Sequence, residues 1–482
     1  MKILKSLHSV TGTVIAVFFF MWFVTGLVLI YHPYPRLGEK ETNHHSENIQ
    51  ADSLRPISYY TDSLTQDTIT SVTVRQMQGQ ALVTVSTADS TRTFCADTTQ
   101  QRKEITFASV EQTASEWVHG KSIRVDTLHE REQWILYERF ERAMPIYKFT
   151  YGDPERHQLF ISGKTGEVQQ LTTRSERVWA WLGAIPHKFY YPAIRKDVDL
   201  WKTVITTGGI ICLLAAFSGL LRGMSIQWKL SRKKRILASP FKKTSYKWHH
   251  ALGLVFGIFI VCWGISGSLA MQKVPKWLVP YENEYSMYGP DIWEGDSLPL
   301  SSFRLDYRKV IAAYPDVKRI EWHVIGEKPV YSVVSDSNTV FVDATDTVPR
   351  FLEVTAQAIR VAMKRIYGDS TDVKVERMDD YDQYYMPSYD SRPALPVYKA
   401  TIANSDGSVY YIGTDNDYCR YFNTNKKARK WLFGAMHYLN INGLTSNPPL
   451  WHCCIWILCL GGTGVSFTGI ILGIRYIRRK LR

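Results

Sequence analysis

Four apolar runs, each long enough to cross a lipid bilayer, limit the folds open to this chain more than any other feature. They cover residues 10–31, 201–221, 251–271 and 455–474. A helix needs roughly 20 apolar residues to cross the hydrocarbon core of a bilayer, and only helices and closed barrels satisfy every backbone polar group there. The sequence therefore predicts an α-helical membrane protein with four transmembrane helices, interrupted by two long polar regions.

Basic residues are concentrated in the segments that would lie on one side of the membrane. The chain has a formal net charge of +13. Segment 222–247 contains nine basic residues and no acidic one, and further basic residues precede the first run and follow the last. Short cytoplasmic loops carry such an excess of Lys and Arg. The pattern places both termini and this loop in the cytoplasm and both polar regions outside it, and it favours contact with the lipid bilayer over a nucleic-acid partner.

The chain contains two copies of one arrangement. Residues 181–219 match residues 431–469 without a gap, and the start of the first apolar run matches the start of the third. The matched pairs include Trp181 with Trp431, His187 with His437, Trp201 with Trp451, His8 with His249, and Gly12 with Gly253. The sequence therefore predicts two parallel pseudo-repeats, each built from a span, a polar domain, a histidine-bearing segment and a second span.

Each polar region alternates strand-like and helix-like segments. Runs of β-branched residues bounded by turn residues indicate strands. In the first region, strands are predicted at 69–76, 81–86, 92–96, 123–126, 146–151, 157–162 and 167–170, and a helix at 107–118. In the second, helices are predicted at 305–314 and 351–366, strands at 317–325, 329–335, 339–344, 373–377 and 397–402, and a hairpin about 413–416. Both regions are therefore predicted to be α+β domains.

Several short motifs follow one another in a characteristic order. They are the His-x-x-x-Gly openings at 8–12 and 249–253, the Gly-Lys-Thr-Gly-Glu-Val hairpin at 163–168, the Glu-Arg…Gly…His stretch at 176–187, and the Ser-Gly and Thr-Gly span ends at 218–219 and 468–469. With these motifs nearly the whole chain resembles the PepSY-associated transmembrane helix family, also described as iron-regulated membrane proteins. The resemblance implies an inner-membrane protein with two periplasmic PepSY-like domains. Some members of that family bind haem b within the helices and reduce ferric siderophores.

The resemblance and the repeat together divide the chain into ten segments. In chain order they are transmembrane helix 1 (1–31), periplasmic PepSY-like domain A (32–178), an outer histidine-bearing interfacial segment (179–200), transmembrane helix 2 (201–222), a basic cytoplasmic loop (223–247), transmembrane helix 3 (248–271), periplasmic PepSY-like domain B (272–428), a second outer histidine-bearing segment (429–450), transmembrane helix 4 (451–474) and a basic cytoplasmic tail (475–482). Pro192, Pro448 and Pro449 predict that neither outer segment continues as one helix into the next span.

Histidines at the ends of the spans are the candidate cofactor-binding residues. Two neutral imidazoles can hold a haem iron, and an ionisable side chain at membrane depth is by default a functional hypothesis. A single histidine there could instead contact lipid headgroups, but the duplication favours ligation. We predict one or two haem b groups, with iron held by His8 and His249 near the cytoplasmic face and by His187 and His437 near the outer face.

Two further histidines lie beside these candidates. His250 could replace His249 through a rotation of about 100° about the helix axis. His452 ranks behind the others because Lys202 occupies the matching position of the first half. The sequence has no Cys-x-x-Cys-His motif, so covalent haem attachment is not indicated.

These features predict a haem-containing inner-membrane oxidoreductase, a ferric-chelate reductase, that passes electrons to a periplasmic ferric siderophore or other ferric chelate. The hydrocarbon core is ~30 Å thick, so an electron path needs a relay centre near each face. No Gly-x-Gly-x-x-Gly motif occurs, which leaves a separate cytoplasmic reductase or membrane quinol as the donor, and no catalytic residue is assigned. The alternative is a non-enzymatic, membrane-anchored PepSY binding module that regulates a periplasmic peptidase or partner protein; the duplicated histidines favour the reductase.

Overall fold

The structure is a computed structural model that describes residues 2–482 apart from 51–53, 65–67, 98–100, 233–238, 271–272, 283–291, 294–296 and 337. The described α-helices are α1 (Lys2–Tyr31), α2 (Glu39–His45), α3 (Ile57–Thr61), α4 (Phe107–Trp117), α5 (Arg174–Leu182), α6 (Ala184–Lys188), α7 (Pro192–Arg195), α8 (Val198–Ser231), α9 (Thr244–Leu269), α10 (Tyr307–Ala313), α11 (Ala356–Tyr367), α12 (Thr424–Arg429), α13 (Met436–Tyr438), α14 (Asn442–Thr445) and α15 (Pro448–Lys480). A π-helical stretch, Lys430–Ala435, precedes α13.

Among the described residues, four helices are long and apolar enough to cross a membrane, as predicted: α1, α8, α9 and α15. α1 packs against α8 and α15, and α9 packs against the same two helices. α1 and α9 therefore lie diagonally opposite each other in a four-helix bundle. Both polar regions attach at one end of this bundle, because α1 and α9 lead into them and α8 and α15 return from them.

Small residues let these helices approach closely. A Cβ atom on Gly264 of α9 would lie 2.9 Å from the Cα of Leu213 on α8, and one on Gly257 would lie 2.9 Å from Cδ1 of Leu220. Both distances are too short for a real side chain. Close backbone contact of this kind is the usual basis of helix packing in lipid.

Local signals determine where the returning spans begin. The Asp197 carboxylate accepts hydrogen bonds from the backbone N–H groups of Asp199 and Leu200 at the start of α8. Pro448 and Pro449 occupy the first positions of α15, where a helix needs no N–H donor. The predicted break between each histidine-bearing segment and its span is therefore present.

The strands form three antiparallel sheets. In chain order they are β1 (Ile69–Met77), β2 (Gln80–Thr87), β3 (Thr91–Cys95), β4 (Ser122–Leu128), β5 (Ile146–Tyr151), β6 (Gln158–Ser162), β7 (Val168–Thr172), β8 (Arg319–Ile325), β9 (Lys328–Val334), β10 (Thr339–Asp343), β11 (Arg350–Phe351), β12 (Val373–Met378), β13 (Val397–Ile402), β14 (Val409–Gly413) and β15 (Cys419–Phe422). One four-stranded sheet, β4–β7, lies in the first polar region, and another, β12–β15, lies in the second.

The third sheet joins the two polar regions, a connection that the sequence did not predict. Its strand order is β11-β10-β9-β8-β1-β2-β3. β1 and β8 pair antiparallel, with Val74 opposite Ile320, and both of these side chains are fully buried in one core. The helix predicted at 351–366 begins later, at Ala356, because Thr355 caps α11 through its side chain and Phe351 belongs to β11.

Candidate cofactor site

Two histidines face each other at the end of the bundle where both chain termini lie; we call His8 and His249 the terminal pair. Their ring centres are 6.0 Å apart. His8 Nδ1 lies 3.0 Å from the carbonyl oxygen of Ala215 on α8. His249 Nδ1 lies 3.1 Å from the carbonyl oxygen of Val465 and 3.1 Å from Thr468 Oγ1 on α15. Each ring is thus oriented by the helix beside it.

A second pair lies toward the polar domains; we call His187 and His437 the domain-side pair. Their ring centres are 6.2 Å apart. His187 belongs to α6 and His437 to α13, short helices that precede α8 and α15. Trp22 of α1 donates its indole N–H to the carbonyl of His187 at 3.0 Å, and Trp263 of α9 donates to the carbonyl of His437 at 2.6 Å. These indoles hold both short helices against the bundle.

The Nδ1 atoms of this pair also have partners. His187 Nδ1 lies 3.2 Å from the carbonyl oxygen of Trp22 and 3.3 Å from Thr25 Oγ1. His437 Nδ1 lies 3.0 Å from Ser266 Oγ. A carbonyl oxygen can only accept a hydrogen bond, so the Nδ1 atoms that face one carry the proton. Nε2 then keeps its lone pair, the state in which a histidine binds a metal.

The spacing of both pairs suits one metal ion between two imidazoles. A metal lies about 2.0–2.1 Å from an imidazole nitrogen, and each ring centre lies about 1 Å behind that nitrogen, so ligated ring centres are roughly 6 Å apart. Among the described residues, no group of three or more His, Cys, Asp or Glu side chains could hold a metal ion. Each pair therefore offers two nitrogen ligands and no third.

A cavity of about 370 Å³ adjoins the terminal pair. His8 and His249 line it together with Gly12 and Gly253, each four residues further along its helix. A Cβ atom on Gly253 would meet no atom within 4 Å. The basic residues that also line the cavity are Lys5, Arg222 and Arg479. The terminal pair therefore lies beside open space that has an apolar wall and a cationic rim.

The two secondary candidates lie in different places. His250 also lines this cavity, and its Nε2 is buried without a hydrogen-bond partner. His452 faces no second histidine: its Nδ1 lies 3.0 Å from the hydroxyl of Tyr31, and the two rings stack with centres 5.5 Å apart. The structure therefore brings four of the six predicted histidines together as two pairs and keeps His452 apart from them.

The second polar region contains a group of acidic and aromatic residues, Asp382 with Tyr381, Tyr384 and Tyr385. Its Asp382 carboxylate accepts hydrogen bonds from Lys399 Nζ at 2.8 Å and from the Tyr411 hydroxyl at 2.7 Å, as well as from two backbone N–H groups. Burial raises the pKa of Asp382, but these bonds outweigh it and hold the pKa below its usual value. The carboxylate is thus occupied inside the domain, as expected of a structural ion pair.

Sequence reasoning found the histidines but missed the groups that orient them. The orienting groups occupy matched positions of the first and third spans: Trp22 matches Trp263, and Thr25 matches Ser266. That match was the only signal of their contacts in the sequence. A hydrogen bond from a ring nitrogen to a residue more than 150 positions away leaves no local pattern in the sequence.

Four membrane-length helices that carry α+β domains at one end define a polytopic membrane protein. The chain matches the family described as the PepSY-associated TM region over residues 5–475, so it belongs to that family. No curated protein matches the chain.

Proposed function

We propose that this protein is a haem-containing inner-membrane oxidoreductase that passes electrons across the membrane to a periplasmic acceptor, a ferric siderophore or other ferric chelate. One observation carries the proposal: two histidine pairs, with ring centres 6.0 and 6.2 Å apart, lie at two levels of a single helix bundle. A membrane anchor has no need of such pairs.

The residues present fit haem better than a bare metal ion. Haem would need at most two ligands from the protein, and histidine is one that it accepts, so the two nitrogens of each pair would make a complete protein donor set. The cavity beside the terminal pair offers apolar walls, and the open position at Gly253 leaves room for a flat ring. Lys5, Arg222 and Arg479 at its rim would suit the acidic groups of haem.

Haem would supply reversible one-electron chemistry at each level. The protein's own residues would hold the two centres in place. The carbonyls of Ala215, Val465 and Trp22 fix the Nδ1 tautomer of their histidines, and a hydrogen-bond acceptor at that nitrogen raises the basicity of a ligating imidazole. The apolar walls of the cavity beside the terminal pair would also help to set the potential of a centre bound there.

The positions of the pairs along α1 suit a relay. A Cβ atom on Gly12 would lie 3.8 Å from the ring of His8, and one on Gly26 would lie 3.1 Å from the ring of His187. These glycines are separated by about 21 Å along a helix that rises 1.5 Å per residue. Phe23 and Trp263, whose ring centres are 5.1 Å apart, pack between the two levels. An electron would therefore travel about 21 Å between the two pairs, which is less than the ~30 Å thickness of the hydrocarbon core.

The proposal includes the orientation of the chain. Two parallel pseudo-repeats would place the termini and the basic loop in the cytoplasm and the α+β domains in the periplasm. The terminal pair would then receive electrons, from a cytoplasmic reductase or from quinol, and the domain-side pair would deliver them to the acceptor.

The absorption spectrum of the purified full-length protein tests the cofactor. With haem supplied during expression, we expect a Soret band whose intensity falls in His8→Ala and in His187→Ala, because each variant removes one of the proposed histidine ligands. His452→Ala is the matched control and should leave the band unchanged. A wild-type protein without a Soret band would refute the oxidoreductase and leave a membrane-anchored binding module. A band that both ligand variants leave unchanged would refute the assignment of the ligands.

A further inference from the structure

A buried arginine, Arg195, ends α7, the short helix that follows the His187 segment. Arg195 is only 8% exposed. Its guanidinium lies 4.4 Å above the ring of Trp201 and 5.2 and 5.7 Å from the rings of Tyr137 and Tyr190. Its Nε and Nη1 atoms are buried and make no hydrogen bond. Cation–π contacts offset part of the cost of burying this charge, but N–H donors left unpaired still cost free energy.

Two further cations converge on the same tyrosines. Lys188 Nζ lies 5.7 Å from the ring of Tyr190, and the Arg36 guanidinium lies 5.6 Å from the ring of Tyr137. Within the described ranges, neither Lys188 nor Arg195 forms an ion pair with a carboxylate. Burial raises the pKa of Tyr137, but hydrogen bonds with Arg36 and Tyr190 and the nearby cations outweigh it, so that pKa lies below its ordinary value. The local potential is therefore positive.

In the other half of the chain, the two positions that match Lys188 and Arg195 carry no charge. The residues 250 positions after Lys188 and Arg195 are Tyr438 and Thr445. Trp451, which corresponds to Trp201, is covered by the ring of Tyr389 at 4.9 Å instead of by a guanidinium. Neutral side chains thus fill the same packing role there, so packing alone does not explain the charges beside Trp201.

We propose that Arg195 and Lys188 form a binding site for a carboxylate group beside the domain-side histidine pair. The planar guanidinium can donate two parallel hydrogen bonds to a carboxylate, and Lys188, the residue after His187, brings the site next to the redox centre. The carboxylate would come either from a ferric chelate with carboxylate ligands or from an acidic group of haem itself. A role of this site in electron delivery rests on the proposed function. Carboxylate binding at the site can be measured whether or not the proposed function is correct.

Equilibrium dialysis of the full-length protein against radioactive ferric citrate tests the site, with an uncharged ferric trihydroxamate as the comparison chelate. If the chelate supplies the carboxylate, Arg195→Gln weakens ferric citrate binding by about tenfold or more, the loss expected for a charge-assisted pair. Trihydroxamate binding and the haem midpoint potentials stay unchanged. Arg195→Lys should keep part of the affinity because it keeps the charge.

If haem supplies the carboxylate, Arg195→Gln leaves ferric citrate binding unchanged but shifts the midpoint potential of one haem, and reconstitution with haem dimethyl ester removes that shift. Lys196→Gln is the matched control, since its amino group already pairs with Glu130 at 3.2 Å; it should change neither quantity. Lys188→Gln provides a second variant if Arg195→Gln does not fold.

The inference is overturned if neither variant of the site changes citrate affinity or haem potential. Citrate binding can also be measured with protein purified without haem. Failure of this inference can therefore be distinguished from failure of the proposed function. A loss of citrate binding in haem-free Arg195→Gln would support the site even if the wild-type protein had no Soret band.

Discussion

At the residue scale, the four paired histidines share one property: Nδ1 of each lies within hydrogen-bond distance of an oxygen on another segment. This partner keeps the ring from rotating, and where it is a carbonyl oxygen it also selects the tautomer. His437 differs from the other three because its partner is a hydroxyl, Ser266 Oγ at 3.0 Å, and not a carbonyl. A hydroxyl can be removed by mutation without disturbing the backbone.

Ser266→Ala should therefore weaken the domain-side site without destroying it. We expect retention of haem at that level to fall by about 10–100-fold, the usual cost of losing a partner of a ligating histidine. The midpoint potential of that haem should rise, because the imidazole becomes less basic. Haem content and a redox titration of the purified protein measure both effects.

Ser268→Ala is the control on the same helix, since its hydroxyl bonds to the carbonyl of Gly264. Equal losses in both variants would mean that the Ser266 contact is a packing feature of α9.

At the scale of elements, a short helix and a sharp reversal position each domain-side histidine. Phe189 directly follows α6 and Leu439 directly follows α13, and both of these residues have left-handed backbone conformations, with φ of 52° and 55°. Such a conformation costs roughly 1–2 kcal/mol for a residue other than glycine. The surrounding packing must hold it, and one contact that does so is the ring of Phe189 on Trp22, with centres 5.7 Å apart.

Substitution of glycines on α9 tests whether the cavity beside the terminal pair holds the cofactor. In a His187→Ala background, where only the terminal pair remains complete, Gly253→Leu should reduce haem content to less than about a tenth, because the new side chain occupies the open cavity. Gly267→Leu is the control: this position is also open but does not line that cavity. Pyridine haemochrome assays of the purified variants measure the content. Full haem content in Gly253→Leu would place the cofactor elsewhere.

At the scale of the whole molecule, the seven-stranded sheet joins two polar regions that are far apart in the sequence. Pairing of Thr73 with Glu321 and of Arg75 with Arg319 links the domain that follows α1 to the one that follows α9. α1 carries His8 and α9 carries His249. The sheet therefore helps to fix the positions of these two helices relative to each other, although it lies outside the helix bundle.

The proposed orientation of the chain predicts a protease-protection pattern. The basic segment 222–247 and the basic C-terminus should remain in the cytoplasm, so green fluorescent protein fused after Arg482 should fluoresce and resist protease added to spheroplasts. The same protease should cleave the α+β domains. Lysed cells are the control, in which all parts become accessible. Domains that stay protected in intact spheroplasts would contradict this orientation.

The sequence by itself determined the four spans, most strands of the α+β domains and the grouping of the paired histidines. These features depend on local composition, on alternation of side chains and on a duplication that is visible without any structure. The match of His8 with His249 needed only a shift of 241 residues along the chain, and that of His187 with His437 a shift of 250. Histidines at equivalent positions of the two copies were therefore predicted to lie close together in the folded protein.

Only the tertiary structure decided which groups surround those histidines and how the polar regions join. The β1–β8 pairing, the carbonyl that faces His8 and the aromatic rings around Arg195 bring together residues that are distant in sequence or separated by a turn. No periodicity marks such contacts, since they arise from the packing of whole elements. The charge asymmetry between Arg195 and Thr445 is present in the sequence, but only burial of the guanidinium among aromatic rings gives it a chemical meaning.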